Sequence, residues 1–122
     1  MESTRKLIED LGSGDPLARY RALDALSARR EDNFDAIVEL LALGSPHQRA
    51  AAAEILGRWR AKDAFQQLVA AMRDSDVTVR ARCVEALGMI DPGRAKPHLL
   101  QAARDANPEV RAWASDVLSR LN

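Results

Sequence analysis

A chain of 122 residues has room for one compact domain or one short stack of repeats. With 47% apolar residues but only 4% aromatics, its core is built from Ala, Leu, Val and Ile, which suits closely packed helices better than a β-sandwich. Eighteen basic and eighteen acidic residues cancel, which excludes the strong basic excess usual in a DNA-binding domain and any overall pull toward anionic lipid.

The N-terminal stretch, Met1 to Asp10, is charged throughout and lacks the apolar run of a signal peptide. Nowhere does the chain reach the ~18 uncharged apolar residues that a membrane span needs. One cysteine, Cys83, excludes an internal disulfide framework and fits a reducing compartment. A soluble cytoplasmic protein is expected.

In chain order, Leu7-Ile8-Leu11 places an apolar stripe on a first helix. Asp15-Pro16 then announces a second helix over 16–28. The Asp side chain can accept from the unpaired N–H groups of the first turn, and Pro loses nothing at the first helical position. The same pair recurs. Ile37-Val38-Leu41 precedes Ser45-Pro46 and a helix over 46–58. Leu68-Val69-Met72 precedes Asp76-Val77 and a helix over 77–89. Leu99-Leu100-Ala103, with Pro97 in the first turn, precedes Asn107-Pro108 and a helix over 108–121.

The second helix of each pair carries the same residues in register. Arg19, Arg49, Arg80 and Arg111 recur at intervals of 30, 31 and 31 residues. Three positions on sit Ala22, Ala52, Cys83 and Ala114; five on, Asp24, Glu54, Glu85 and Asp116; seven on, Leu26, Leu56, Leu87 and Leu118. A lone helix pair cannot cover its own apolar face, so equivalent pairs must stack. The expected fold is all-α, a solenoid of four antiparallel helix pairs. It forms a single repeat domain over 1–122, with repeats near 1–31, 32–61, 62–92 and 93–122.

The run Asp76-x-x-Val79-Arg80-x-x-Cys83-x-Glu85-Ala86-Leu87-Gly88 resembles the short HEAT-like repeat of phycobilisome lyase-type proteins, an armadillo-like solenoid. Asn107-Pro108-x-Val110-Arg111-x-x-Ala114 through Leu118 resembles it again. The first repeat departs from the pattern, with Ala18 where the valine stands. The resemblance implies the fold, and a concave surface lined by the second helices.

Each helical residue turns ~100°. Counted from the repeat arginine, offsets +3, +6, +7 and +10 share the core side, which includes Trp59. Offsets +1 and +8 are nearly all small and form a flank along which neighbouring helices approach. We take this flank to face the preceding repeat, so that Tyr20, its one large member, covers the free N-terminal end. Offsets −2, +2, +5 and +9 lie opposite the core, on the concave side that the resemblance implies. The candidate binding residues stand there: Arg21, Asp24, Glu54, Arg58, Arg82, Glu85, Met89, Trp113, Asp116 and Arg120.

The four repeat arginines read as structural, each stem lying in a groove while its guanidinium meets helix-end carbonyls or a nearby acid. The acidic row at +5 is either a solvated, salt-bridged face or a partner contact. Trp113 is either an interface anchor or packs against the last turns. Cys83 fills a buried small position. His47 and His98 stand on different helices without a companion His or Cys at ligand spacing, so no metal, cofactor or catalytic set is identified.

Extended solenoid surfaces serve binding, so the leading function is a scaffold or accessory subunit that docks a protein partner on its concave face. The resemblance also implies an alternative, a bilin lyase-like or other enzyme subunit. The His-Glu pairs of the HEAT-like deoxyhypusine hydroxylases are missing, since Gln48 follows His47 and Leu99 follows His98. Nucleic-acid binding is disfavoured by the four acids on the concave side. Leu118 and Leu121 near the C-terminal face suggest end-to-end homodimers.

Overall fold

The computed structural model describes residues 2–121, and among these every regular element is helical. The helices are α1 (Thr4–Leu11), α2 (Pro16–Ser27), α3 (Arg30–Leu43), α4 (Pro46–Arg58), α5 (Phe65–Ala71), α6 (Val77–Ile90), α7 (Pro92–Ala102) and α8 (Pro108–Ser119). They form four antiparallel pairs stacked side by side. The odd-numbered helices make one layer and the even-numbered helices the other.

The even-numbered helices start where the capping residues stand. Asp15, Ser45, Asp76 and Asn107 each accept a backbone N–H of the first turn through the side chain. At Ser45 the Gln48 side chain returns the bond, completing a capping box. Helix α8 stops at Ser119, short of 121. Helix α4 ends with Arg60 at φ 49°, the left-handed position that lets the Ala61 N–H reach the Leu56 carbonyl at 3.1 Å.

Two odd-numbered helices differ from expectation. Helix α5 has seven residues and is led in by a 3₁₀ turn, Lys62–Ala64. Helix α7 starts at Pro92, because Asp91 caps it by accepting from the Arg94 N–H. Pro97 therefore lies in its interior and not in its first turn. The ring removes the bond to the Gly93 carbonyl, but residues 93 and 97 are both exposed, so water can solvate that carbonyl.

The core follows the register of the repeat. Ala22, Ala52, Cys83 and Ala114 are buried, as are Leu26, Leu56 and Leu87, facing Leu7, Leu11, Ile37, Leu41, Leu68 and Leu99. Leu118, Leu121 and Trp59 are partly buried against this core. Leu100 is 52% exposed although its counterparts Ile8, Val38 and Val69 pack on the core. It sits one position off the stripe, on the exposed side of α7.

Small residues decide how the stack closes. A Cβ on Gly57 would lie 3.0 Å from Ala86 Cα, and one on Gly88 would lie 2.4 Å from a Val117 methyl. The small flank therefore meets the repeat that follows, which reverses the orientation expected from sequence. Tyr20 does not cap the N-terminal end. It shares the phase of the flank turned toward α4, stays 62% exposed, and α2 touches α4 far less extensively than α4 touches α6. A phenol ring stands there where later repeats have Ala50, Ala81 and Ala112.

Between α5 and α7, in contrast, a groove of about 490 Å3 opens. The even-numbered helices approach closely from α4 to α6 and from α6 to α8 while the odd-numbered layer opens between α5 and α7, and on that ground we take α2, α4, α6 and α8 as the inner side of the stack.

Candidate docking face

The repeat arginines fix the turns that hold this inner layer. Each sends one guanidinium nitrogen back to the loop before its own helix: Arg19 to the Ser13 carbonyl (2.7 Å), Arg49 to Gly44 (2.8 Å), Arg80 to Asp74 (2.8 Å), Arg111 to Asp105 (2.8 Å). Two of them also cross to the next repeat. Arg49 donates to both carboxylate oxygens of Asp74 at 2.8 and 2.9 Å, and Arg80 to both of Asp105 at 3.0 and 3.1 Å.

Those aspartates have a second task. Asp74 accepts the Asp76 N–H at 2.9 Å and Asp105 the Asn107 N–H at 2.8 Å, so each carboxylate organises its own turn while it is gripped from behind. The hydrogen bonds from Arg49 hold the Asp74 carboxyl below the usual range, against the opposing effect of burial. Burial pushes Asp105 up, but the bonds from Arg80 and the Asn107 N–H, with the Arg80 and Arg111 charges, outweigh it and leave it lowered.

Sequence reading passed over these two aspartates, although a signal existed. Asp74-Ser75-Asp76 and Asp105-Ala106-Asn107 place an acid six residues before the repeat arginine in two successive repeats. In the second repeat the loop has two residues instead of five, and the exposed Leu43, the last residue of α3, falls at that offset. Asn33 was also missed. It is fully buried, donates to the Arg29 carbonyl at 2.7 Å and accepts from the Thr4 hydroxyl, tying α3 to α1.

Of the candidate binding residues, five gather in one hollow. Glu54 and Arg58 of α4 and Arg82, Glu85 and Met89 of α6 line it, with Gly57 and Ala86 between them. Glu54 is its centre, 2.8 Å from Arg58 and 3.6 Å from Arg82. Both arginines are more than a third exposed, so each pair contributes ~0–1 kcal/mol and orders the side chains more than it stabilises the fold.

Trp113 and Asp116 stand one repeat further on, together with Glu109 and Ala112 around a shallow depression. Trp113 is 36% exposed and Met89 37%. Arg120 pairs with Asp116 at 3.2 Å, in the open. Arg21 and Asp24 on α2 are both exposed and lie outside these hollows.

Cys83 is buried, and burial pushes its thiol up to about 12, so it does not act as a nucleophile at neutral pH. His98 stacks edge-on against Phe65, with ring centres 5.9 Å apart. Among the described residues no three of His, Cys, Asp and Glu are grouped to hold a metal ion, and no helix is long and apolar enough to cross a membrane.

The family model for HEAT repeats matches residues 34–119. Among solved structures, the chain is similar to one from Nostoc sp. PCC7120, described as the complex of CpcE and CpcF of phycocyanin lyase. The TM-score is 0.53 and the identity 19%, over 100% of this chain and 66% of that one. Comparison with curated proteins gives no match.

Proposed function

This chain belongs to the HEAT-repeat family, and on that footing we propose that it is a single four-repeat module that docks a protein partner on the inner face of its even-numbered helices. The observation that carries the reading is the pairing of exposed apolar groups with ordered charge on that face. Met89 and Trp113 present apolar surface on neighbouring helices, beside the fixed cluster of Glu54, Arg58 and Arg82. Anchors of this kind, aromatic or Met and Arg, concentrate binding energy at interfaces. The rigid backbone beneath them keeps the ordering cost of association low.

The likeness to a structure described as a complex supports a protein partner. At 19% identity it carries the fold and supplies no residue for lyase chemistry, so the enzyme-subunit reading stands second.

Affinity capture with four chains tests the proposal: wild type, Trp113→Ala, Arg82→Glu, and Arg5→Glu on the exposed outer side of α1. A partner retained by wild type and Arg5→Glu, but lost by the other two, supports docking on the inner face. Equal retention by all four removes that face from consideration.

A further inference from the structure

The groove between α5 and α7 opens on the other side of the stack from the docking face, and its walls are unlike the rest of the molecule. Three guanidiniums line it, Arg73, Arg80 and Arg104, against one carboxylate, Asp105. In a chain of zero net charge this is a local positive surplus. Asp105 does not offset the two outer arginines, because both of its oxygens already accept from Arg80. Arg73 and Arg104, each just past the end of its helix, are exposed and make no ion pair among the described residues. Between them the floor is apolar, formed by Val69, Met72 and Ala102 over the buried Val84 and Val110.

We propose that this groove is a second binding site, for an acidic peptide segment whose apolar side chain enters between Met72 and Ala102 while its carboxylates meet Arg73 and Arg104. Guanidinium forks match carboxylates by shape as well as charge. The lining selects a peptide over a small anion, which would meet the guanidiniums but leave the apolar floor between them uncovered. On an extended chain residues i, i+2 and i+4 share one face, so acids at i and i+4 turn toward the groove together and span about 13 Å, at ~3.3 Å per residue. The apolar residue between them then falls over the floor. The volume, about 490 Å3, accommodates a short segment.

The test is an NMR titration of the whole chain with the capped pentapeptide Glu-Ala-Leu-Ala-Glu. Neutral Gln-Ala-Leu-Ala-Gln, Glu-Ala-Gly-Ala-Glu without the apolar side chain, and sodium acetate serve as comparison probes. The expected result is saturable shifts at Met72, Arg73, Ala102 and Arg104, weakened by added salt. Arg73→Glu/Arg104→Glu reduces affinity by about tenfold or more, since two attractions become repulsions. Arg73→Gln/Arg104→Gln gives an intermediate loss, and the thermal midpoint stays near wild type in both. Equal shifts with the neutral peptide or with acetate, shifts that survive charge reversal, or no saturable shift at all each overturn the assignment.

Discussion

Arg49 crosses from the second repeat to the third and grips Asp74 through two parallel hydrogen bonds of 2.8 and 2.9 Å, and Asp74 in turn accepts the N–H that starts the next turn. The two side chains are largely buried, 17% and 11% exposed, so neither is freely solvated once its partner is removed. Asp74→Ala and Arg49→Ala should each destabilise the chain by about 2–3 kcal/mol, because each strands a charged group. The double variant should lose less than the sum of the two, with a coupling of ~1–2 kcal/mol by urea denaturation. Arg49→Lys should not rescue, since an ammonium cannot make the paired bonds.

The same contacts give stability a pH dependence. Asp74 and Asp105 have lowered folded values, so their contribution is complete above the ordinary aspartate value of ~3.9. It is lost as pH falls from there through the folded values, where the unfolded chain binds more protons than the folded one. Urea midpoints measured against pH should stay level near neutrality and fall below about pH 4. Asp74→Asn/Asp105→Asn should start lower and fall less steeply. An unchanged acid slope would show that other carboxylates dominate.

Gly88 lies where α6 meets α8. A Cβ there would lie 2.4 Å from a Val117 methyl, inside any real contact. Alanine gains ~1 kcal/mol of helix propensity over glycine, but overpacking costs ~1–3 kcal/mol. Gly88→Ala should therefore be net destabilising. In a Val117→Ala background the clash is gone, and the same change should become neutral or stabilising.

The seam between the first two repeats has a different construction. Residue 44, twenty-five positions after Arg19, is glycine, whereas Asp74 and Asp105 stand at that distance after Arg49 and Arg80. Gly44→Asp cannot supply the missing grip, since a Cβ there would lie 2.8 Å from Gln48 Cβ and 2.9 Å from the Leu40 carbonyl. The first pair is held by the Trp59 indole N–H to the Ser27 carbonyl (2.7 Å) and the Gln48 amide to Ile8 (2.9 Å). Native-state hydrogen exchange should find α1 and α2 opening at lower free energy than α4 and α6. A single opening energy for all helices would contradict this.

The fold was legible because its signals are local and repeated. Cap residues, prolines after caps and the apolar register return every thirty or so residues, and the helices start where they stand. What sequence left open depends on direction between repeats. Periodicity places Gly57 and Gly88 on a flank, but the sense of stacking decides that they meet Ala86 and Val117. Tyr20 was misassigned for that reason. Asp74 and Asp105 were overlooked because their partners lie in another repeat, twenty-five residues away. Pro97 misled because Asp91-Pro92 offered an earlier cap. The inner-face residues were nameable as a set, while the division into a Glu54-centred cluster and a separate Trp113 depression needed coordinates.

Docking on the inner face is tested most directly by placing a photoreactive phenylalanine at single positions and identifying crosslinked proteins after irradiation in cells. Replacement of Trp113 and, separately, of Met89 should give the same protein adduct, and replacement of the exposed Leu43 should not. Adducts from Leu43 alone, with none from the other two, would contradict the account.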